Sequence, residues 1–244
     1  MKLFKTLLGL FGGGLLAAGL PAQTAIALSE EDLLVKFAQV SVFVLTDEAG
    51  DYVTTQADFP NDGLGNIDLL QVFFNEDDAR ELGDQVRRVN ADFRENGFVS
   101  VASLATVHLS AAEPRDTPLK IVFVPQEEDL AAAQALDPNF GAGENNAASI
   151  VPLFGVQNAD GDFIGLPFGD SGELVIGMFF SNSDAVSVVG MVNQARPEFQ
   201  AQVGVISLGN FTRLMLSSDD AAFERVMFLQ NEDVVNSNQR LVDQ

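Results

Sequence analysis

The 244-residue chain has no cysteine and no tryptophan, one histidine, one tyrosine, and 13 lysine or arginine residues against 35 aspartate or glutamate. Without cysteine there are no disulfides, no thiol nucleophile and no thiolate-ligated zinc or iron–sulfur centre. A single histidine, His108, builds no polyhistidine metal site. The net charge of −22 repels phosphate backbones and anionic lipid, which disfavours nucleic-acid binding. With tryptophan absent and Tyr52 alone, the usual aromatic platforms for sugars are missing as well. The apolar run from Thr6 to Leu20 is glycine-broken and shorter than the ~20 residues of a membrane span.

What that run does fit is an export signal. Met1-Lys2-Leu3-Phe4-Lys5 is a basic start, and Ala25-Ile26-Ala27 follows the small-x-small cleavage rule. Removing residues 1–27 takes away two lysines and no acid, leaving 217 residues at −24. The expected location is outside the cytoplasm, in the periplasm or a thylakoid lumen. A disulfide-free protein there depends on a packed core, and this length buries roughly 70 % of the unfolded surface.

An internal repeat dominates what remains. Val42 to Val53 matches Leu153 to Ile164 at an offset of 111, with Thr46-Asp47-Glu48-Ala49-Gly50-Asp51 against Gln157-Asn158-Ala159-Asp160-Gly161-Asp162. Val72-Phe73-Phe74 matches Met178-Phe179-Phe180 at 106, Val99 to Leu104 matches Val203 to Leu208 at 104, and Val122-Phe123-Val124 with Glu127-Glu128 matches Met227-Phe228-Leu229 with Glu232-Asp233 at 105. Four matches in order, with offsets drifting only at loops, point to a duplicated unit.

Each copy reads alike. A strand turns at Gly50 or Gly161 into a second strand, a hairpin signal. A third strand ends in Phe73-Phe74 or Phe179-Phe180, and a helix follows, capped by Asn75 or by Ser181/Ser183. Its apolar stripe is Ala79, Leu82, Val86, Val89 and Phe93, repeated as Ala185, Val188, Val192, Ala195 and Phe199. A strand, a short helix opened by Ser103 or Ser207, a last strand and a terminal helix complete the unit. The fold class is α/β with a mixed, partly antiparallel sheet, a tandem pseudo-twofold repeat of a β-β-β-α-β-α-β-α unit. The expected organisation is signal 1–27, N-terminal helix 28–39 opened by Ser29 and Asp32, unit one 40–136, linker 137–149 and unit two 150–244.

Motifs of chemistry are weak. Gly169-Asp170-Ser171-Gly172 resembles a serine-protease nucleophile loop, but His108 is the sole base and Glu173 would set a negative charge beside an oxyanion. Asn158 to Asp162 suggests a calcium loop, yet the sixth and twelfth positions are Phe163 and Gly169, so a hairpin turn explains it more simply. Gly63-Leu64-Gly65 lacks the third glycine of a dinucleotide loop. Paired carboxylates exist among 35 acids, but most fall on solvated helix faces such as Glu76-Asp77-Asp78. No catalytic residue, metal or cofactor is expected.

Phenylalanine is abundant, at 20 residues. Phe43/Phe154, Phe93/Phe199 and Phe123/Phe228 recur in both units, as core positions do. In the pairs Phe73-Phe74 and Phe179-Phe180, adjacent residues point to opposite sheet faces, so one ring packs under the helix and the other needs separate cover. These four are the candidates for an apolar groove that takes polypeptide segments.

Phe43-Val44-Leu45-Thr46 with Gly50-Asp51-Tyr52-Val53, the run Phe73 to Ala79, the strand Val99 to Leu104, Val122-Phe123-Val124-Pro125 and Val151-Pro152-Leu153-Phe154 resemble one family. It is that of the twenty-two-kilodalton Tic subunit of the chloroplast import machinery and its cyanobacterial homologues. The likeness covers nearly all of the chain after the signal, and the plain bacterial signal favours the cyanobacterial branch. The resemblance implies a soluble, non-enzymatic factor of the periplasm that assists protein translocation or outer-membrane biogenesis, chaperone-like. Its partners would be unfolded or outer-membrane polypeptides and the outer-membrane assembly machinery. A structural adaptor that docks a membrane complex through the helix Ser29 to Gln39 is the alternative reading, and a Ser171 or carboxylate hydrolase a further one.

Overall fold

Three acids follow Ser29, and they open the first helix of the computed structural model, which describes residues 27–59, 65–141, 150–168 and 173–230. In α1 (Glu30–Phe37) the Ser29 hydroxyl accepts the Asp32 N–H while the Asp32 carboxylate accepts the Ser29 N–H, a reciprocal capping box. The expected signal 1–27 falls outside the described residues except for Ala27.

Two separate mixed sheets follow, one per copy. The first holds β1 (Ser41–Thr46), β2 (Thr55–Phe59), β3 (Gly65–Phe73), β4 (Phe98–Ser103) and β5 (Leu119–Val124). The second holds β6 (Pro152–Gln157), β7 (Leu166–Phe168), β8 (Glu173–Phe179), β9 (Gln202–Ser207) and β10 (Val226–Leu229). In each, the first strand lies antiparallel between the third and fourth, and the last strand runs parallel beside the third. The repeat holds at the level of single residues. Phe43 pairs with Phe73 and Val101, and Phe154 pairs with Phe179 and Val205.

The turns repeat too. The Asp47 carboxylate accepts the N–H groups of Ala49 and Asp51, and the Asn158 carbonyl oxygen accepts those of Asp160 and Asp162. Gly50 and Gly161 sit at φ of 86° and 83°, where a side chain would be strained. The expected hairpin is shorter than its sequence suggests. Past the turn only the single bridges Thr46–Tyr52 and Gln157–Phe163 form, and the regular strand β2 pairs with β3 instead of β1.

The long helices α2 (Glu76–Val89) and α6 (Asn182–Ala195) are capped by Asn75 and Ser181. Their stripes end sooner than expected. Asn90 closes α2 and its side chain caps a new helix, α3 (Ala91–Asn96), so Val89 stays 87 % exposed while Phe93 packs from α3. In the second copy Arg196 and Pro197 stop α6, Ala195 is exposed, and Phe199 reaches the core from a 3-10 turn, Pro197–Phe199. Ser103 and Ser207 cap α4 (Leu104–Ala112) and α7 (Leu208–Ser217).

Alternation along the strands settles which side chains go where. Phe43, Phe73 and Ala79 form one cluster on the outer face of sheet one, and Phe154, Phe179 and Ala185 form its counterpart on sheet two. Val42, Val44, Leu70, Val72 and Phe74 point the other way and meet Leu153, Met178, Phe180 and Phe228 in one large core shared by both copies. Helices α1, α4 and α7 contribute Phe37, Val107 and Phe211 to that core. The two copies are thus a pair of sheets with inner faces together and a long helix on each outer face.

One helix crosses over. α5 (Glu127–Leu136), the terminal helix of the first copy, lies against β6, β9 and α6 of the second. The segment after it, expected as linker 137–149, is described as far as Gly141.

Candidate functional site

The four rings singled out in the sequence are all buried: Phe73 and Phe74 are 4 % and 6 % exposed, Phe179 and Phe180 each 9 %. Phe73 and Phe179 lie under α2 and α6, as expected of the ring that packs beneath the helix. Phe74 and Phe180 find their separate cover in each other. Their rings stack at a centroid distance of 4.6 Å and an interplanar angle of 19°, and the stack is flanked by Phe123 on one side and Phe228 on the other. What the sequence presents as two apolar surfaces is therefore one contact, made across the junction of the copies.

A crevice opens above this stack. It is lined by Phe74, Phe180, Pro125, Gln126, Asp129, Val151, Pro152, Ser181 and Gln230, and has a volume of about 20 Å³, room for a guest the size of one water. Inserting a segment between Phe74 and Phe180 would require the two sheets to part.

Polar groups tie the copies together around this junction. The Asp129 carboxylate, on α5 and 5 % exposed, accepts the Asn182 N–H at the start of α6 at 2.8 Å. Burial pushes its pKa up, with Glu128 and Asp184 adding to the rise and the hydrogen bond opposing it. Gln230 holds both backbone groups of Ser41, accepting from its N–H at 2.8 Å and donating to its carbonyl at 2.7 Å. Lys36 Nζ donates to the Glu224 and Val226 carbonyls, each at 2.9 Å, and burial lowers its pKa. Sequence reasoning missed all three. For Asp129 and Gln230 the available signal was the five-residue run Gln126-Glu127-Glu128-Asp129-Leu130, which recurs as Gln230-Asn231-Glu232-Asp233-Val234; Lys36 had none.

The rival sites gain little. Gly169 to Gly172 lies outside the described residues, as does Gly63-Leu64. His108 is exposed on α4, its ring centroid 6.2 Å from that of Phe37 in an edge-on arrangement. At the calcium-like loop the Asn158 side-chain oxygen is engaged by the loop's own N–H groups. Among the described residues no three His, Cys, Asp or Glu side chains gather to hold a metal ion, and no helix is long and apolar enough to cross a membrane. Leu33 and Phe37 of α1 are core residues, so an adaptor role for this helix rests on its outer side, where Val35 is exposed.

The geometry has relatives. Among solved structures the chain is similar to Anabaena Tic22, a protein-transport protein, with a TM-score of 0.72 at 19 % identity, covering 88 % of this chain and 98 % of that one. It is also similar to Tic22 from Plasmodium falciparum, with a TM-score of 0.62 at 15 % identity, covering 86 % and 98 %. At these identities the likeness is one of fold. No curated protein sequence matches the chain. The model of the Tic22-like family, however, matches residues 15–232, almost the whole length, and the chain belongs to that family.

Proposed function

We propose that this protein is a non-enzymatic factor of an extracytoplasmic compartment that holds apolar polypeptide segments in transit and hands them on, in translocation or in outer-membrane biogenesis. The observation that carries this reading is the family match over residues 15–232; the related Anabaena protein is a protein-transport protein. The export-type N-terminus and the strongly acidic composition agree with it, since an acidic exterior attracts basic segments and keeps a loaded complex dispersed.

Phe74 and Phe180 belong to the shared core and Phe73 and Phe179 to the clusters beneath the outer helices, so client contact falls on the surface, in the closed form of the molecule. The free edge of β4 suits an extended segment. Among the described residues this strand pairs only with β1, and Phe98 at its start is 52 % exposed. Backbone groups along such an edge add a strand from a partner, and a neighbouring ring supplies apolar contact.

The test is aggregation of an unfolded outer-membrane barrel diluted from denaturant, followed by light scattering. Equimolar protein delays the rise in scattering under this proposal, and Phe98→Asp shortens the delay. If equimolar protein leaves the time course unchanged, the holding role is lost.

A further inference from the structure

The repeat supplies an internal comparison of the two long helices. On the solvent side of α2, Asp77, Arg80, Glu81, Asp84, Gln85 and Arg88 are all exposed, three of them acids and two arginines. Their equivalents on α6, at the offset of 106, are Ser183, Val186, Ser187, Gly190, Met191 and Gln194. These are exposed as well, and none is charged. Val186 is 50 % and Met191 61 % exposed. On a chain of net charge −22, one long helix keeps a solvated, charged outer side and the other has lost it.

Two details point to close contact with a second backbone. Gly190 lies inside α6, where glycine costs stability relative to alanine, and its φ is not positive. Among the described residues a methyl at this position would meet nothing within 4 Å, so their packing does not require the glycine. An approaching helix does. The Ser187 hydroxyl is turned back, donating to the Ser183 carbonyl at 2.9 Å, and the Ser183 hydroxyl pairs with that of Ser181 at 2.8 Å. With its hydroxyls engaged inside the chain, the face can be dried without losing their hydrogen bonds.

We propose that α6 pairs with α6 of a second copy, antiparallel about a twofold axis passing between Val188 and Val189. The order of residues selects this occupant. Along the face the sequence runs polar, apolar, small and then small, apolar, polar, the same from either end. In that register Ser187 lies level with Gly190 of the second copy and Ser183 with Gln194, each twice, as an isologous contact requires. Small residues at the centre let the helix axes approach, while Val186 of both copies closes one side of the seam and Met191 of both the other. Asp184, the only charged residue of α6, comes level with Asn193 of the second copy, and each helix start lies beside the other's end, where the dipoles attract. The same pairing of α2 would desolvate charges along its centre and set Glu81 level with Asp84. A contact of one helix from each copy is small beside the roughly 1,200–2,000 Å² of a stable interface, so the dimer forms reversibly with concentration. This pairing is independent of the client-holding role.

Sedimentation velocity over a concentration series reads the association, and the exposed positions can be changed without touching the core. The full-length protein shifts from monomer to dimer as concentration rises. Ser187→Glu, which sets a carboxylate against Gly190 of the second copy at two points, weakens the association at least tenfold with an unchanged far-ultraviolet spectrum, whereas Glu81→Ser on α2 leaves it as it is. A chain that stays monomeric throughout assigns the face to a different protein and overturns the proposal, as does a dimer that Ser187→Glu leaves intact. The absence of native cysteine lets disulfides read the register. At about 1.5 Å per residue, Ser183 lies about 16 Å along the seam from Ser183 of the second copy, beyond the ~7 Å between α-carbons that a disulfide spans. Mild oxidation of Ser183→Cys chains mixed with Gln194→Cys chains therefore gives the mixed dimer several-fold over either homodimer. Asp77→Cys mixed with Arg88→Cys, the same register on α2, stays reduced. Homodimers in excess for the α6 pair, or chains that stay reduced, overturn the antiparallel pairing.

Discussion

The stack of Phe74 on Phe180 decides between a core and a groove, and it can be tested by truncating each ring. Both side chains are more than nine-tenths buried, and the rings lie 4.6 Å apart and nearly parallel. A buried phenylalanine removes roughly 150–250 Å² from water, worth about 4–6 kcal/mol at 25 cal/mol per Å² as an upper bound. Measured Phe→Ala losses in cores run at about 3–5 kcal/mol because the cavity closes only in part. Each of Phe74→Ala and Phe180→Ala is therefore expected to cost about 4 kcal/mol. In a domain of this size that lowers Tm by roughly 8–16 °C. The pair should also be coupled: the double variant loses less than the sum of the singles, by about 1 kcal/mol, since the stacking contact disappears only once. Urea unfolding followed by circular dichroism, with the four proteins of the cycle, reads both quantities. Because the two sheets share one core, unfolding should be a single transition. If either truncation leaves the urea midpoint unmoved while abolishing client holding, the ring is a binding surface and the packing argument is wrong.

Four further outcomes follow from particular contacts. Asp129→Ala leaves the Asn182 N–H unpaired in a buried place and should cost about 1–3 kcal/mol, whereas Asp129→Asn keeps an acceptor, sheds a buried charge and should be neutral or stabilising at pH 7. Folding raises the Asp129 pKa above 3.8, so the folded chain holds that proton more tightly than the unfolded one. Its contribution to stability therefore grows as pH falls from neutral through the raised value and levels off below 3.8; Asp129→Asn removes that part of the slope, while Asp78, also raised by burial, retains its own. Lys36→Met keeps the apolar stem but frees the Glu224 and Val226 carbonyls, for a loss of about 1–3 kcal/mol and faster amide exchange in α1. Gly155→Ala would set a methyl 2.7 Å from the Phe163 ring and 3.1 Å from the Met178 sulfur, an overpacking worth about 1–3 kcal/mol in thermal unfolding.

The repeat was legible because duplication leaves the same apolar pattern at fixed offsets, and the pairing of Phe43 with Phe73 and Val101, repeated by Phe154 with Phe179 and Val205, follows that pattern. Helix starts were legible for the same local reason, since Ser29, Asn75, Ser103, Ser181 and Ser207 each cap within three residues of their own position. Helix ends and partners were not. The stripe Ala79 to Phe93 continues at helical spacing through Asn90, and only the competing side-chain cap at Asn90 divides it. The alternation of Phe73-Phe74 and Phe179-Phe180 shows that Phe74 and Phe180 need cover, but periodicity within one copy says nothing about what supplies it. Here the cover is the other copy, a long-range contact with no local signature.

That same contact limits how the molecule can act. Phe74 and Phe180 stack across the junction, α5 leaves its own sheet for the other, Gln230 returns to Ser41, and Lys36 joins α1 to the last strand. Parting the sheets to admit a segment between them would break all four links and bare the stacked rings and the valines and leucines around them. At about 25 cal/mol per Å², even 400 Å² of newly exposed apolar surface costs about 10 kcal/mol, comparable to the whole stability of a domain. A holding factor that opened in this way would pass through a largely unfolded state at each cycle. Binding on surfaces that the closed form already offers, a free strand edge and the exposed ring of Phe98, carries no such cost. The choice is measurable: amide exchange of β3 and β8, the central strands, should be unaltered by a bound client if the surface is used, and accelerated if the sheets part.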